Sequence, residues 1–469
     1  MDNPTAPPRP QHLRCTPPLP ATRMADVRRR AIFECCKWDP QVGDTAVLAD
    51  FAVVLAPQQW RELAALARTL HAETLSAERE ILSRRDLLAR LSLPRKIARV
   101  LQNAGGAHAL APPENTFRVM RFDFHPTRDG WRVTEVNSDV PGGYIEASGF
   151  SELMRDALTE NSSTDEADRK KKNLTPFQQQ KGSGFSFCGR LTLAGNPAEK
   201  IAACLRERLP AGGRVALVHA TAYTDDRQVM IFLQRILERH GFDVTLASPA
   251  QIAWRDGAAF AAGASGEKND PRMEKLDALF RFFPAEWLPN LDGAAWKNFF
   301  LPAKFPRTLL INPGAAMISQ TKCFPLAWNG LAGGAPGVWS RLMPETRALD
   351  GAKCSPLARL FPARLPDAAD WLLKPALGRV GDGIGLAGVT REKDLAKIEK
   401  NCRHHPRRWV AQRKFESEPL STPRGPAHIC IGVYVINGAA CGIYGRISPQ
   451  PLINHLAQDV AVLLAPDIA

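Results

Sequence analysis

The chain has 469 residues, 45% apolar and 23% charged, an ordinary globular composition with room for a sizeable core and roughly two to four structural units. Its net charge is +13 with a pI of about 9.4, but the basic residues are scattered, and the densest run, Arg169 to Lys172, has no interleaved aromatics. This argues against nucleic-acid binding and for a solvated surface excess, or for a site that receives anionic ligands such as nucleotides. No stretch is long and apolar enough to cross a membrane, the N-terminus lacks an apolar secretory core, and the ten cysteines include no CxxC pair, so the expectation is a cytoplasmic protein with reduced thiols.

Residues 1–30 are expected to be disordered, on the proline content of the first ~22. Residues 31–160 read as a helical N-terminal region followed by a hairpin. Pro57 opens a helix in which Trp60, Leu63, Ala67, Leu70 and Ile81 share a face. A short helix follows over Arg85 to Leu91, and Pro94 starts another turn. Arg121 to Phe124 and Trp131 to Asn137 alternate polar and apolar around the turn sequence PTRDG, which predicts two paired strands. The run from Tyr144 to Leu158 reads as a helix.

Residues 161–186 are polar and poor in apolar side chains and are expected to form a flexible insertion. Residues 187–308 have a strand–helix–strand rhythm: strands over 213–220, 242–248 and 276–283, with a helix over 228–240. Short links between them predict a parallel, Rossmann-like unit, though no GxGxxG follows the first strand to support a dinucleotide site. Residues 309–469 begin with a strand, a turn and a helix over TLLINPGAAMISQTKCFPLAW. Trp371 to Thr390 reads as two short strands around a glycine-rich loop, and Trp409 to Ser417 as a further strand. His428 to Ser448 reads as a hairpin turning at Asn437-Gly438.

Two places concentrate chemistry. If the first hairpin pairs with Asp123 facing as Glu135 does, then Arg121, Asp123, Glu135 and Asn137 converge while Phe122, Phe124 and Val136 face the core. Two carboxylates and a carboxamide are hard oxygen ligands that suit Mg²⁺, and an adjacent arginine suits a phosphoryl group. The same spacing also fits a solvent-facing hairpin with cross-strand ion pairs. His125, near the tip, is expected to be solvated. In KPALGRVGDGIGLAG, Lys374 precedes a loop whose glycines would let backbone N–H groups approach a phosphate, though taken alone the stretch reads better as a plain glycine-rich hairpin. Lys322, Gln412 and Arg446 taken singly read as surface or capping residues. There is no GxSxG, HExxH or Cys–His pair to supply a nucleophile.

Taken together, RFDF (121–124), EVNSD (135–139), SQTKCFPLAW, LLKPALGRVGDG, WVAQRKFE and GVYVINGAACGIYGRIS resemble, in order, the synthetase part of the glutathionylspermidine synthase family. CCKWDPQVGD (35–44) is similar to its front. The resemblance implies a mixed α/β chain with a circularly permuted ATP-grasp fold, a Rossmann-like pre-ATP-grasp subdomain and an N-terminal helical layer. It implies ATP and Mg²⁺, the latter as two ions held by Asp123, Glu135 and Asn137. It further implies Arg121 on the transferring phosphoryl group, and Lys322 and Lys374 on ATP phosphates and adenine-side contacts. Gly381 and Asp382 fall in a loop closing over the phosphates; Gln412, Arg413, Lys414 and Phe415 match the adenine pocket, and Arg446 a late phosphate contact.

The implied reaction joins a carboxylate to an amine through an acyl-phosphate. The amidase half is absent from the sequence, so amide hydrolysis is not expected. Where the polyamine enzymes carry a serine-containing run that helps hold glutathione, this chain has VPGGY (140–144), which leaves the acid open. The alternative is a homologue that binds nucleotide or peptide without catalysis. Neither substrate nor oligomeric state is legible.

Overall fold

The computed structural model describes residues 13–39, 41–42, 45–104, 117–159, 190–262, 273–300, 307–349, 370–378, 381 and 383–466. The insertion over 161–186 and Asp382 lie outside them.

A nine-stranded sheet organises the molecule. Its main path runs Arg14–Cys15, Leu48–Leu55, Gln458–Leu464, Ala439–Ser448, Gly425–Ile436, Val119–Thr127, Gly130–Asn137. Neighbours are antiparallel except Leu48–Leu55 against Gln458–Leu464, which are parallel. The first hairpin thus lies beside the last one, with Phe122 opposite Val433 and Asp123 opposite Gly432. The turn between Gly425–Ile436 and Ala439–Ser448 carries Asn437 and Gly438 at positive φ, as an Asn-Gly hairpin turn requires.

The helix Pro57–Ser83 covers one face of this sheet. Leu63, Ala67, Leu70 and Ile81 are fully buried there, and Phe122, Phe124, Val433 and Val435 belong to the same cluster. Burying each such side chain stabilises the fold by about 1.5–3 kcal/mol, so the helix and the hairpin hold each other in place.

The middle of the chain forms a parallel four-stranded sheet in the order Leu309–Ile311, Ala278–Arg281, Arg214–Val218, Asp243–Ala247. The helix Thr224–Arg239 makes the right kind of crossover between Arg214–Val218 and Asp243–Ala247, starting four residues before the sequence reading placed it. A third, three-stranded sheet orders Thr346–Ala348, Trp409–Arg413 and Trp371–Pro375, all antiparallel.

Three expectations need correction. Residues 21–33 are a helix, not a disordered tail: Met24, Val27 and Ala31 recur at helical spacing and are buried in a second core cluster. The proline content outweighed that stripe in the sequence reading; residues 1–12 lie outside the described set. The second strand of the glycine-rich segment shrinks to one bridge, Gly385 opposite Leu373. Gly381 and Gly383 sit at φ +70° and +71°, which turns the backbone away from an extended path. His125 is buried, not solvated.

Candidate active site

The register of the first hairpin sets Arg121 opposite Asn137 and Asp123 opposite Glu135, so the four polar side chains share one face. Phe122, Phe124 and Val136 are buried on the other. A bulge between Asp123 and Phe124 lies at the end of this set. Bulges re-aim side chains and increase local twist.

These residues line a cavity of about 450 Å³, a size ordinary for small-molecule sites. The nine-stranded sheet contributes Arg121, Asp123, Glu135, Asn137, Tyr444 and Arg446 to it; the three-stranded sheet contributes Leu372 and Lys374. Lys322, Gly378, Gly381, Lys414 and Phe415 come from connections. Of the twelve described site residues expected from the sequence, ten line this space, and Gln412 and Arg413 do not.

Gln412 is buried, but its carboxamide donates to Thr346 Oγ1 at 3.1 Å and faces Met343 Sδ at 3.3 Å. Arg413 lies half-exposed against the Trp371 ring, 4.9 Å from its centroid, and pairs with Glu345. Each of these two side chains is held by its cross-strand neighbour, so the expected adenine-side run splits and only Lys414 and Phe415 of it line the cavity.

The charges are already paired. Arg121 grips Asp123 with both ends of its guanidinium, Nε to Oδ1 at 2.7 Å and Nη2 to Oδ2 at 2.9 Å, and donates from Nη1 to Gly142 O at 2.6 Å. Asn137 Nδ2 donates to Asp123 Oδ2 at 3.0 Å. Lys322 Nζ lies 2.7 Å from Glu135 Oε2 and donates to Gly378 O at 2.9 Å. Burial works to raise the Glu135 carboxyl, but Lys322, Lys374 and Arg121 outweigh it and hold it below the usual carboxylate range. Burial pushes the Lys374 ammonium down to about 8, with Glu135 opposing the shift and Lys322 adding to it. Burial, helped by Lys374, pushes the His125 imidazole down to about 4, and its ring lies 5.6 Å from that of Phe415. Arg446 donates from Nη2 to Asn454 O, while its buried Nε has no hydrogen-bond partner.

The donor set fits a hard divalent cation. Asp123, Glu135 and Asn137 offer oxygen atoms only, and three cationic side chains beside them suit the phosphates that would complete the coordination. Among the described residues no group of three His, Cys, Asp or Glu is placed to hold a metal by itself.

Several supporting residues had no legible role in the sequence. Tyr444 lies under Arg121, whose guanidinium carbon is 5.0 Å from the ring centroid, and its hydroxyl donates to Asp459 Oδ1 at 2.8 Å. Asp459 in turn faces Lys37 at 3.4 Å, and Lys37 pairs with Glu146 at 2.7 Å. The motif around Lys37 thus reaches Arg121 through a chain of buried contacts. Asp139 pairs with Arg281 and accepts from Ala285 N at 3.1 Å. Gln320 Oε1 accepts from the backbone N–H of Ser138 and Asp139 at 2.9 and 3.0 Å, tying the end of the hairpin to the helix Met317–Gln320. The signal for Asp139 was present in EVNSD, but its partner lies far along the chain.

The family model described as glutathionylspermidine synthase pre-ATP-grasp matches residues 25–464. Among solved structures, a glutathione synthetase-like effector from Globodera pallida has 10% identity and a TM-score of 0.55, covering 94% of this chain and 96% of its own. A putative gamma-glutamylcysteine synthetase from Methylobacillus flagellatus has 12% identity and a TM-score of 0.38, covering 82% of this chain and 86% of its own. No curated protein matches the chain.

Proposed function

The chain belongs to the glutathionylspermidine synthase family, and from that premise we propose that it is an ATP- and Mg²⁺-dependent ligase that joins a carboxylate to an amine. The observation that carries this reading is the convergence of Arg121, Asp123, Glu135, Asn137, Lys322 and Lys374 on one cavity.

In this reading a carboxylate oxygen of the acid attacks the γ-phosphorus of ATP and ADP leaves. The amine then attacks the acyl carbon, phosphate leaves, and the amine nitrogen gives up its proton. Asp123, Glu135 and Asn137 would hold Mg²⁺, which supplies charge neutralisation to the phosphates when bound. Arg121, buried beside Asp123, is placed to meet negative charge on the transferring group. Lys322, paired with Glu135, and Lys374, whose charge also acts on Glu135, would supply further positive charge. The reaction asks no side chain to act as a nucleophile, since the two substrates react with each other; the protein positions them and balances charge.

The test is ADP release with Mg·ATP against a panel of acids and amines that includes glutathione, other peptides, spermidine and amino acids. Release that requires an acid, an amine and Mg²⁺ together is the expected result. Tight Mg·ATP binding with no release for any pair would favour the non-catalytic binder instead.

A further inference from the structure

One end of the cavity differs from the rest. The basic side chains lining it, Arg121, Lys322, Lys374, Lys414 and Arg446, belong to the hairpins, the three-stranded sheet and their connections. That end is lined by Val140, which follows the first hairpin, and by Tyr223, Phe282, Pro284 and Trp287, which follow two strands of the parallel sheet; Asp226 also lines the cavity. Tyr223 and Trp287 face one another with ring centroids 6.0 Å apart and planes 31° from parallel. Both are solvent-accessible, at 59% and 36%.

The two ends meet at Gly142. Its carbonyl accepts from Arg121, and a Cβ built on it would lie 4.0 Å from Phe282 Cζ. A carboxylate drawn to Arg121 therefore has the aromatic end as the space for the rest of its molecule. Buried Asp139 fixes that end in place, through Arg281 on one side and the backbone of Ala285, which starts the helical turn bearing Trp287, on the other.

We propose that this end receives an uncharged apolar group, aromatic for preference, carried by the carboxylate substrate, and that it disfavours a second carboxylate. The inference rests on the ligase reading, because it takes the acid's carboxylate to receive the phosphoryl group beside Arg121. Apolar walls gain from covering an apolar group, and the flat rings of Tyr223 and Trp287 suit another ring. A second carboxylate would lose its water against those apolar walls.

Calorimetric titration of the full chain loaded with Mg·AMPPNP tests this with two probes, 3-phenylpropionate and glutarate. The expected result is at least tenfold tighter binding of 3-phenylpropionate. Trp287→Ala and Tyr223→Ala should each weaken it about tenfold, with AMPPNP affinity unchanged within about twofold and Trp287→Phe retaining most of it. Equal or tighter binding of glutarate, unaltered binding in both alanine variants, or no binding of 3-phenylpropionate to nucleotide-loaded protein would overturn the proposal. Failure of AMPPNP itself to bind would sink the ligase reading instead, and titrating both probes into nucleotide-free protein would then decide the aromatic end by the same criteria.

Discussion

Lys322 Nζ sits 2.7 Å from Glu135 Oε2, so a lysine from the connection after Met317–Gln320 neutralises the carboxylate at the centre of the first hairpin. Arg121 does the same for Asp123. In the proposed ligase, Mg·ATP would replace these partners, with the cation going to the carboxylates and the phosphates to Lys322 and Arg121. Glu135→Gln keeps the shape and removes the charge. It should leave the fold intact, abolish the strengthening of ATP binding by Mg²⁺, and lower ADP release at least about 100-fold. Calorimetry with ATP, with and without Mg²⁺, reads the first effect. Undiminished Mg²⁺ dependence would remove Glu135 from the metal site.

Lys374 gives a pH signature. Its ammonium is pushed from the usual 10.5 down to about 8 by burial. Between those values the unfolded chain binds more protons than the folded one, so this group makes stability rise with pH from about 8 towards 10.5. The whole contribution is about 3 kcal/mol. Below pH 8 both states are protonated and the contribution is flat. Urea unfolding at intervals across this window should show the rise in the wild type and a much smaller one in Lys374→Met. ATP binding depends on the charged form, so affinity should fall as pH climbs through about 8, and Lys374→Arg should flatten that fall.

Local pattern carried much of this architecture. Period-two alternation located the first hairpin, the Asn437-Gly438 turn the last, and helical spacing Pro57–Ser83. The convergence of Arg121, Asp123, Glu135 and Asn137 followed from alternation once a register was assumed. What remained hidden depends on residues far apart in sequence. Burial, with Lys374 adding to it, pushes the His125 imidazole down to about 4, and Phe415 packs on its ring from a connection far along the chain. Gln412 and Arg413 fall away from the cavity because the strand Trp409–Arg413 lies between two others and spends its side chains on them. The helix Ala21–Phe33 was visible in its apolar stripe and was obscured by neighbouring prolines.

Gly143 and Gly142 should respond differently to the same change. Gly143 has φ +93°, and an added Cβ would lie 2.7 Å from Tyr444 Cδ1. Tyr444 supports Arg121 and donates to Asp459, so displacing it disturbs the site as well as the backbone. Gly143→Ala should cost about 1–3 kcal/mol and lower ADP release more than about tenfold. Gly142→Ala meets nothing closer than 4.0 Å and needs no left-handed backbone. It should change stability by less than about 1 kcal/mol. Thermal melts of the two variants make the comparison, and equal losses would show that the contact with Tyr444 is not limiting.

Asp139 and Arg281 form an ion pair with both side chains fully buried. Arg281 also donates to Asn312 O at 3.0 Å and Phe283 O at 2.6 Å, and Asp139 accepts from Ala285 N. Removing one partner leaves an uncompensated charge in the interior. Asp139→Ala and Arg281→Met should therefore each cost about 3–5 kcal/mol. Removing both charges together should cost less than the sum of the two, because neither ion is then stranded. A double-mutant cycle in urea measures that coupling. The Ala285 amide would still lose its acceptor, and the Asn312 and Phe283 carbonyls their donor, so the double variant should not regain full stability. Additive losses would mean that the hydrogen bonds to Ala285, Asn312 and Phe283, and not the ion pair, hold the hairpin end to the parallel sheet.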